Sequence, residues 1–317
     1  VGSEMCIRDR SIWNASHSIG AGLISVICGF LLKHYGYSAW QLCFAVPAAI
    51  ALVGAVALFF TLKDTPSSVG LPEIEDMNKD EKSEDKTSDA SLADNMSGKS
   101  FKSFVNRMVF ANPLIWILAV SNFCIYVVRF TILDWGATFL TQYKGMEIST
   151  AGTVVAASEL VGGIAGMLLA GWFTDKFMKS RAHRTCFICT VGATLSFFLF
   201  WKSPAGMPWL SAIFICLSSF FIYGPQALLG TSASQQATKH ACATANGILG
   251  IFGYASTAIS GVTFGYLAEH FGWDSVFLVS VIIGLVGAAV VAFMWKAPAD
   301  GYAKAEKVMA EITETEK

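Results

Sequence analysis

Charge is what this sequence lacks. Only 14% of its 317 residues are Asp, Glu, Lys or Arg, where a soluble domain carries about 25%. So few ionic groups exclude an ordinary water-soluble protein and a disordered chain alike. A basic surplus is missing too: the net charge is −1 and the pI about 6.6, which leaves no footprint for nucleic acid. There is no His-Glu-x-x-His, no Gly-x-Ser-x-Gly and no Gly-Lys-Ser/Thr phosphate loop, so an intramembrane hydrolase and an ATP-driven pump find no support. Cys186-Phe187-Ile188-Cys189 has metal-ligand spacing, but it begins an apolar stretch with no second Cys or His pair nearby. No metal and no cofactor is expected. Of the eight cysteines, seven (Cys28, Cys43, Cys124, Cys186, Cys189, Cys216 and Cys242) fall in or beside apolar runs. They read as small fillers rather than as a disulfide scaffold.

What the chain has is apolar surface. Hydrophobic residues make up 54%, with 24 Phe and 9 Trp, and the mean hydropathy is +0.54. Windows of about 20 apolar residues, the length that crosses a hydrocarbon core, recur near 12–32, 38–62, 113–141, 151–174, 185–201, 207–230, 241–267 and 275–295. They predict an all-α polytopic membrane bundle of eight helices. Gly162, Gly163 and Gly166 mark one close-packing face, and Gly247, Gly250, Gly253 and Gly261 a second.

The expected organisation is a non-native leader at 1–10, two helices over 11–63, a polar loop over 64–112, six helices over 113–296 and a tail over 297–317. From Glu73 to Ser103 the loop is rich in Asp, Glu, Lys and Ser and reads as a mobile linker. The leader lacks the n-region and h-region of a signal peptide. Two helices before the loop and six after it are lopsided for a bundle built of repeats, so the chain reads as N-terminally truncated. Loops on one side carry 16 Lys and Arg and those on the other side three. That asymmetry predicts a cytoplasmic loop 64–112 and a cytoplasmic C-terminus.

Polar groups inside the spans are the candidates for chemistry. Arg129 is the basic residue at mid-span, where an arginine costs a few kcal/mol and faces a cavity or a partner. Its planar fork suits a phosphate or carboxylate. A structural pair with Asp134 or Glu159 is the alternative, and the ligand role is favoured. Glu159 reads equally as a proton site, as a counter-charge to Arg129 or as a static salt bridge. Asp134, five residues on and nearer the helix end, reads as structural. His17 is the titratable group of its span, with Asn14 a turn away on the same face; ligand contact is favoured over a hydrogen-bonded core histidine. Tyr126, Tyr223 and Tyr254 bring hydroxyls into spans, where substrate contact and an interfacial role stand level.

Several strings together resemble the organophosphate:phosphate antiporters of the major facilitator superfamily. They are Trp13-Asn14-Ala15-Ser16-His17; Asp64-Thr65-Pro66-Ser67-Ser68-Val69-Gly70-Leu71-Pro72-Glu73-Ile74-Glu75; Tyr126-Val127-Val128-Arg129 running into Ile132-Leu133-Asp134-Trp135; Phe221-Ile222-Tyr223-Gly224-Pro225; Ile251-Phe252-Gly253-Tyr254; and Phe271-Gly272-Trp273-Asp274. Gly171-Trp172-Phe173-Thr174-Asp175-Lys176 looks like the superfamily's short loop motif. The resemblance covers about residues 11–296. It implies the major facilitator fold of twelve helices, with helices five to twelve, eight of the twelve, in this chain. It also implies two arginines gripping the phosphate, Arg129 matching the second and the first lying on a helix that this chain lacks. His17, Asn14, Tyr126, Glu159, Tyr223 and Tyr254 fall on family positions near the substrate. The chain departs from the family pattern at Ala255-Ser256-Thr257, where glycines are usual, and at Asn246.

Leu133-Asp134-Trp135 looks like the glycerol-3-phosphate branch, and the span 241–267 lacks the Asp and Lys associated with hexose phosphates. The resemblance therefore implies a non-enzymatic antiporter of a bacterial inner membrane, monomeric in its bilayer, exchanging glycerol-3-phosphate or a related organophosphate for inorganic phosphate. A hexose-phosphate antiporter, a transporter-like sugar-phosphate sensor and a membrane enzyme acting on phosphorylated lipids are the rivals. The last needs a nucleophile or metal cluster that the sequence does not offer.

Overall fold

The computed structural model describes residues 34–63, 70 and 98–315, together with scattered positions between 16 and 31. The predicted leader 1–10 and most of the loop 64–112 lie outside the described residues. The chain divides into two compact units, Leu23–Ser97 and Val1–Gly22 with Gly98–Lys317, and each is taken by itself.

In the first unit the described positions between Leu23 and Tyr35 are helical. The chain then turns through Gly36, at φ 81°, and a 3-10 turn at Tyr37–Ala39. Helix α1, Leu42–Thr61, follows; it is almost wholly apolar and none of its residues is buried.

From Gly98 on, the described residues of the second unit form helices joined by short turns. Helix α2 spans Gly98–Val105 and continues as a π turn over Asn106–Phe110. Helix α3 spans Pro113–Gln142; the Asn112 side chain accepts a hydrogen bond from the Leu114 amide at its start, with Pro113 preset for the first turn. Helix α4, Ile148–Ala157, runs through a π turn at Ser158–Gly162 into α5, Gly163–Phe177, and α6 spans Ala182–Lys202. The α7 run, Pro208–Phe271, is 64 residues long. At 1.5 Å per residue that is roughly 96 Å, about three hydrocarbon thicknesses, so it must be more than one pass. It breaks at Thr238, at φ 60° and ψ 175°, a conformation costly for a β-branched residue. The break separates an arm of residues 208–237 from one of 239–271. Helices α8, Trp273–Ala292, and α9, Tyr302–Thr315, complete the unit.

With the break counted, the expected windows from 113 to 295 each meet a membrane-length segment among the described residues. Helix α3 packs on both α7 and α8, and α6 closes against the same two. Near the α3 C-terminus the core is aromatic: Phe139, Phe197, Phe200 and Phe277 are all buried, with the Phe139 and Phe277 rings 4.1 Å apart. Beyond them the Trp201 indole donates to Asp274 at 2.7 Å, and the Lys144 ammonium donates to the carbonyls of Trp201 and Ser203. Burial lowers the Lys144 pKa, against the pull of the Asp274 carboxylate.

Close approach depends on glycine at particular places. A Cβ at Gly162 would stand 2.6 Å from the Cys216 carbonyl oxygen, and one at Gly166 would overlap that of Phe220. One at Gly284 would lie 2.6 Å from the Thr194 hydroxyl. The second glycine face departs from expectation. Gly253 does press on Asn122 and Tyr126, but nothing stands within 4 Å of a Cβ at Gly247, Gly250 or Gly261.

Two stretches assigned to loop and tail are also more ordered than their composition suggests. Phe104, Met108 and Val109 from α2 and its π turn are buried, as are Ala305, Val308, Met309 and Ile312 of α9. The two segments pack together, and Arg107 and Glu311 pair at 2.5 Å. Residues 98–103 thus belong to a helix; apolar side chains at helical spacing had a second amphipathic face to bury against.

Candidate functional site

Three buried polar side chains meet in the middle of the second unit. Arg129 comes from α3 and is 6% exposed; Glu159, from the π turn between α4 and α5, is 4%; Tyr223, from the first arm of α7, is 1%. The Tyr223 hydroxyl accepts from Arg129 Nη2 at 3.2 Å and donates to Glu159 Oε1 at 2.7 Å. A phenol is both donor and acceptor, so a single hydroxyl joins the cation to the carboxylate. The counter-charge expected for Arg129 is therefore connected to it through Tyr223, a link that sequence spacing did not suggest.

The guanidinium also sits in an aromatic frame. Its Cζ lies 5.1 Å from the Tyr223 ring centroid, 5.3 Å from that of Phe130 and 5.6 Å from that of Tyr126. Desolvated cation–π contacts contribute about 2 kcal/mol, so the frame offsets part of the cost of burying the charge. Tyr126 meets Tyr254 edge to face at 6.3 Å, and Tyr254 itself is 69% exposed. The arrangement thus runs from a buried charge outward through Tyr126 to an accessible tyrosine.

The local backbone explains the placement. Glu159 stands in a π turn, which shifts side-chain register within a helix and recurs at functional sites. Next to it the Ser219 hydroxyl donates to Ser158 at 3.3 Å, tying the turn to α7. On α3, the Asn122 amide donates to the Leu249 carbonyl at 2.8 Å, and the Thr131 and Ser280 hydroxyls are 3.1 Å apart. Polar bridges on either side of Arg129 hold α3 against the second arm of α7 and against α8.

Of the sequence candidates, the structure brings together Arg129, Glu159, Tyr223, Tyr126 and Tyr254. Asp134 is exposed, further along α3. His17 and Asn14 lie outside the described residues. Phe130, Asn122 and Ser158 were missed. A phenylalanine in an apolar run gives no signal, whereas Asn122 stood out as an amide at mid-span and was open to the same reasoning as Arg129.

Comparison with known proteins decides the family. Residues 10–261 match the model of the Major Facilitator Superfamily. The chain belongs to that superfamily. It is 31% identical over 291 residues to a probable hexose phosphate transport protein of Chlamydia trachomatis, covering 90% of this chain and 63% of the relative. It is 31% identical over 289 residues to a glycerol-3-phosphate transporter of Bacillus subtilis, covering 90% and 62%. A membrane sensor protein UhpC of Salmonella typhimurium is 30% identical over 278 residues, covering 88% and 61%. The chain thus spans a little over three fifths of the length of these relatives. The resemblance read from the motifs agrees with their names, and equal identities do not separate the hexose-phosphate from the glycerol-3-phosphate branch.

Proposed function

We propose that this chain is part of a secondary transporter that exchanges glycerol-3-phosphate, or a closely related organophosphate, for inorganic phosphate by alternating access. The observation that carries the reading is the buried Arg129–Tyr223–Glu159 chain. A phosphate dianion offers oxygens that accept from the guanidinium and from the Tyr223 hydroxyl together. It competes with Glu159 for the hydroxyl and takes its place as the anion nearest the guanidinium, so loading and unloading exchange one anion for another around a fixed cation. His17, Asn14, Tyr126 and Tyr254 add contacts to the rest of the substrate, and Asp134 supplies charge balance on α3. In this reading the protein works as a monomer in a bacterial inner membrane, with the basic loops and the C-terminus cytoplasmic. Residues 11–63 supply the last two helices of the N-terminal half of the transporter and 113–296 its six-helix C-terminal half.

The test is counterflow in proteoliposomes made with the full-length protein. Phosphate should exchange for glycerol-3-phosphate, and Arg129→Lys should abolish or severely reduce exchange although it keeps the charge. Lysine replaces a planar fork with a point charge, and a hydrogen bond to a charged group contributes about 1.5–3 kcal/mol. That is roughly a tenfold to hundredfold loss of phosphate affinity. Unchanged affinity beside a lowered melting temperature moves Arg129 out of the site. Exchange of glucose-6-phosphate with none of glycerol-3-phosphate overturns the branch. Relatives named as sensors support a second reading, in which organophosphate binds without flux; binding with no counterflow in the same vesicles selects it.

A further inference from the structure

Two thiols in the Leu23–Ser97 unit hold each other's backbone. Cys28 Sγ lies 3.6 Å from the Cys43 carbonyl oxygen, and Cys43 Sγ lies 3.9 Å from the Cys28 carbonyl oxygen. Both are half-buried and both are free thiols. The symmetry follows from the hairpin. Cys28 stands eight residues before Gly36 and Cys43 seven after it, so the two helical stretches leave the turn with these residues at matched heights. Reciprocal contact means that each side chain is directed at the other residue rather than away from it, one of the geometric conditions for a bridge. As fillers, two cysteines at these positions have no need to face each other.

We propose that Cys28 and Cys43 form a modification site: a dithiol that closes to a disulfide on meeting a small disulfide oxidant. Either thiolate attacks one sulfur of the external disulfide and expels the other as a thiolate. The second cysteine, as thiolate, then attacks the protein sulfur of the mixed disulfide and releases the remaining half. The protein dithiol gives up two electrons and two protons, and the external disulfide leaves as two thiols. The half-burial of both sulfurs selects a small, uncharged oxidant over a charged peptide such as glutathione disulfide. The turn at Gly36 belongs to the side poor in Lys and Arg, and in the proposed orientation it faces the compartment where disulfides persist. The site itself stands on the hairpin geometry and does not depend on the transport reading.

The experiment uses 2,2′-dithiodipyridine, a neutral disulfide that partitions into membranes. The full protein is purified reduced, freed of reductant, treated with the reagent and digested, and the cysteine peptides are weighed. An isolated thiol keeps a pyridylthio group, whereas a facing pair expels it. The expected product is a Cys28–Cys43 cross-link lacking two hydrogens and carrying no pyridylthio group. In Cys43→Ser, Cys28 should instead retain the adduct. Pyridylthio groups on both Cys28 and Cys43 of the wild type would falsify the proposal. So would cross-linking of either to another cysteine, or both left unmodified while Cys216 or Cys242 reacts. A melting curve of Cys43→Ser matching the wild type shows that the variant reports chemistry and not unfolding; if it melts early, the wild-type digest alone decides.

Discussion

Helices α1 and α3 are both long apolar segments of membrane-crossing length, yet they differ in what they bury. None of the 20 residues of α1 is buried, while 16 of the 30 in α3 are, including Ser121, Asn122, Arg129 and Thr131. In water the more apolar helix would be the inner one. In lipid the hydrocarbon solvates Leu and Phe as well as a protein core does, so apolar residues carry no instruction to go inside. Polar groups do carry one, because leaving them in hydrocarbon costs several kcal/mol each. The buried face of α3 is written by its polar side chains, and α1 has none comparable.

The difference is sharpest where backbones touch. Gly166→Leu should do the greatest damage, because its Cβ would overlap the Phe220 carbonyl and backbone cannot yield as a flexible side chain can. Overpacking typically costs about 1–3 kcal/mol and occasionally more, and at this position the α5–α7 seam must open. Thermal melting of the purified protein should fall by many degrees, or the protein should fail to accumulate. A melting curve like that of the wild type would show that the seam is loose.

Glu159→Gln asks how much of the inner face depends on charge. The amide oxygen still accepts from the Tyr223 hydroxyl, so the bridge survives while the negative charge disappears. If the proposed exchange holds, phosphate then no longer displaces an anion, so phosphate affinity should rise severalfold while exchange slows, because release loses its competitor. Binding isotherms and counterflow on the same preparation separate the two effects. Weaker binding with unchanged cycling would assign Glu159 a static role.

The same contrast explains what sequence could and could not reveal. Span positions were legible because hydropathy measures transfer into lipid directly, and Arg129, Glu159 and Tyr223 stood out as polar groups at mid-span. The hydroxyl link between Arg129 and Glu159 was not legible. It needs the π turn at Ser158–Gly162 to set the register of Glu159, and such a turn leaves no mark in composition. The glycine faces show the limit of pattern reading. Gly162 and Gly166 meet a neighbouring backbone while Gly247, Gly250 and Gly261 meet nothing, although both sets have small-residue spacing. Residues 98–110 and 302–315 read as loop and tail because charge counts dominated, and their apolar residues gained meaning only once the two segments paired.

The smallest effect should come from α1. Nothing lies within 4 Å of a Cβ built at Gly54, and none of its neighbours in α1 is buried. Gly54→Leu therefore adds a side chain that the chain does not have to accommodate. Leucine is favourable at a helix centre where that centre meets lipid, by about 0.3–0.6 kcal/mol on insertion scales, and it removes the conformational freedom that glycine brings to a helix. The melting temperature of this chain in detergent should stay within a degree or two of the wild type or rise slightly, beside the large loss expected for Gly166→Leu. The pair of measurements bears on the comparison itself. A clear fall for Gly54→Leu would mean that α1 is held by a packed neighbour through this glycine, and burial by polar instruction would then describe α3 but not α1.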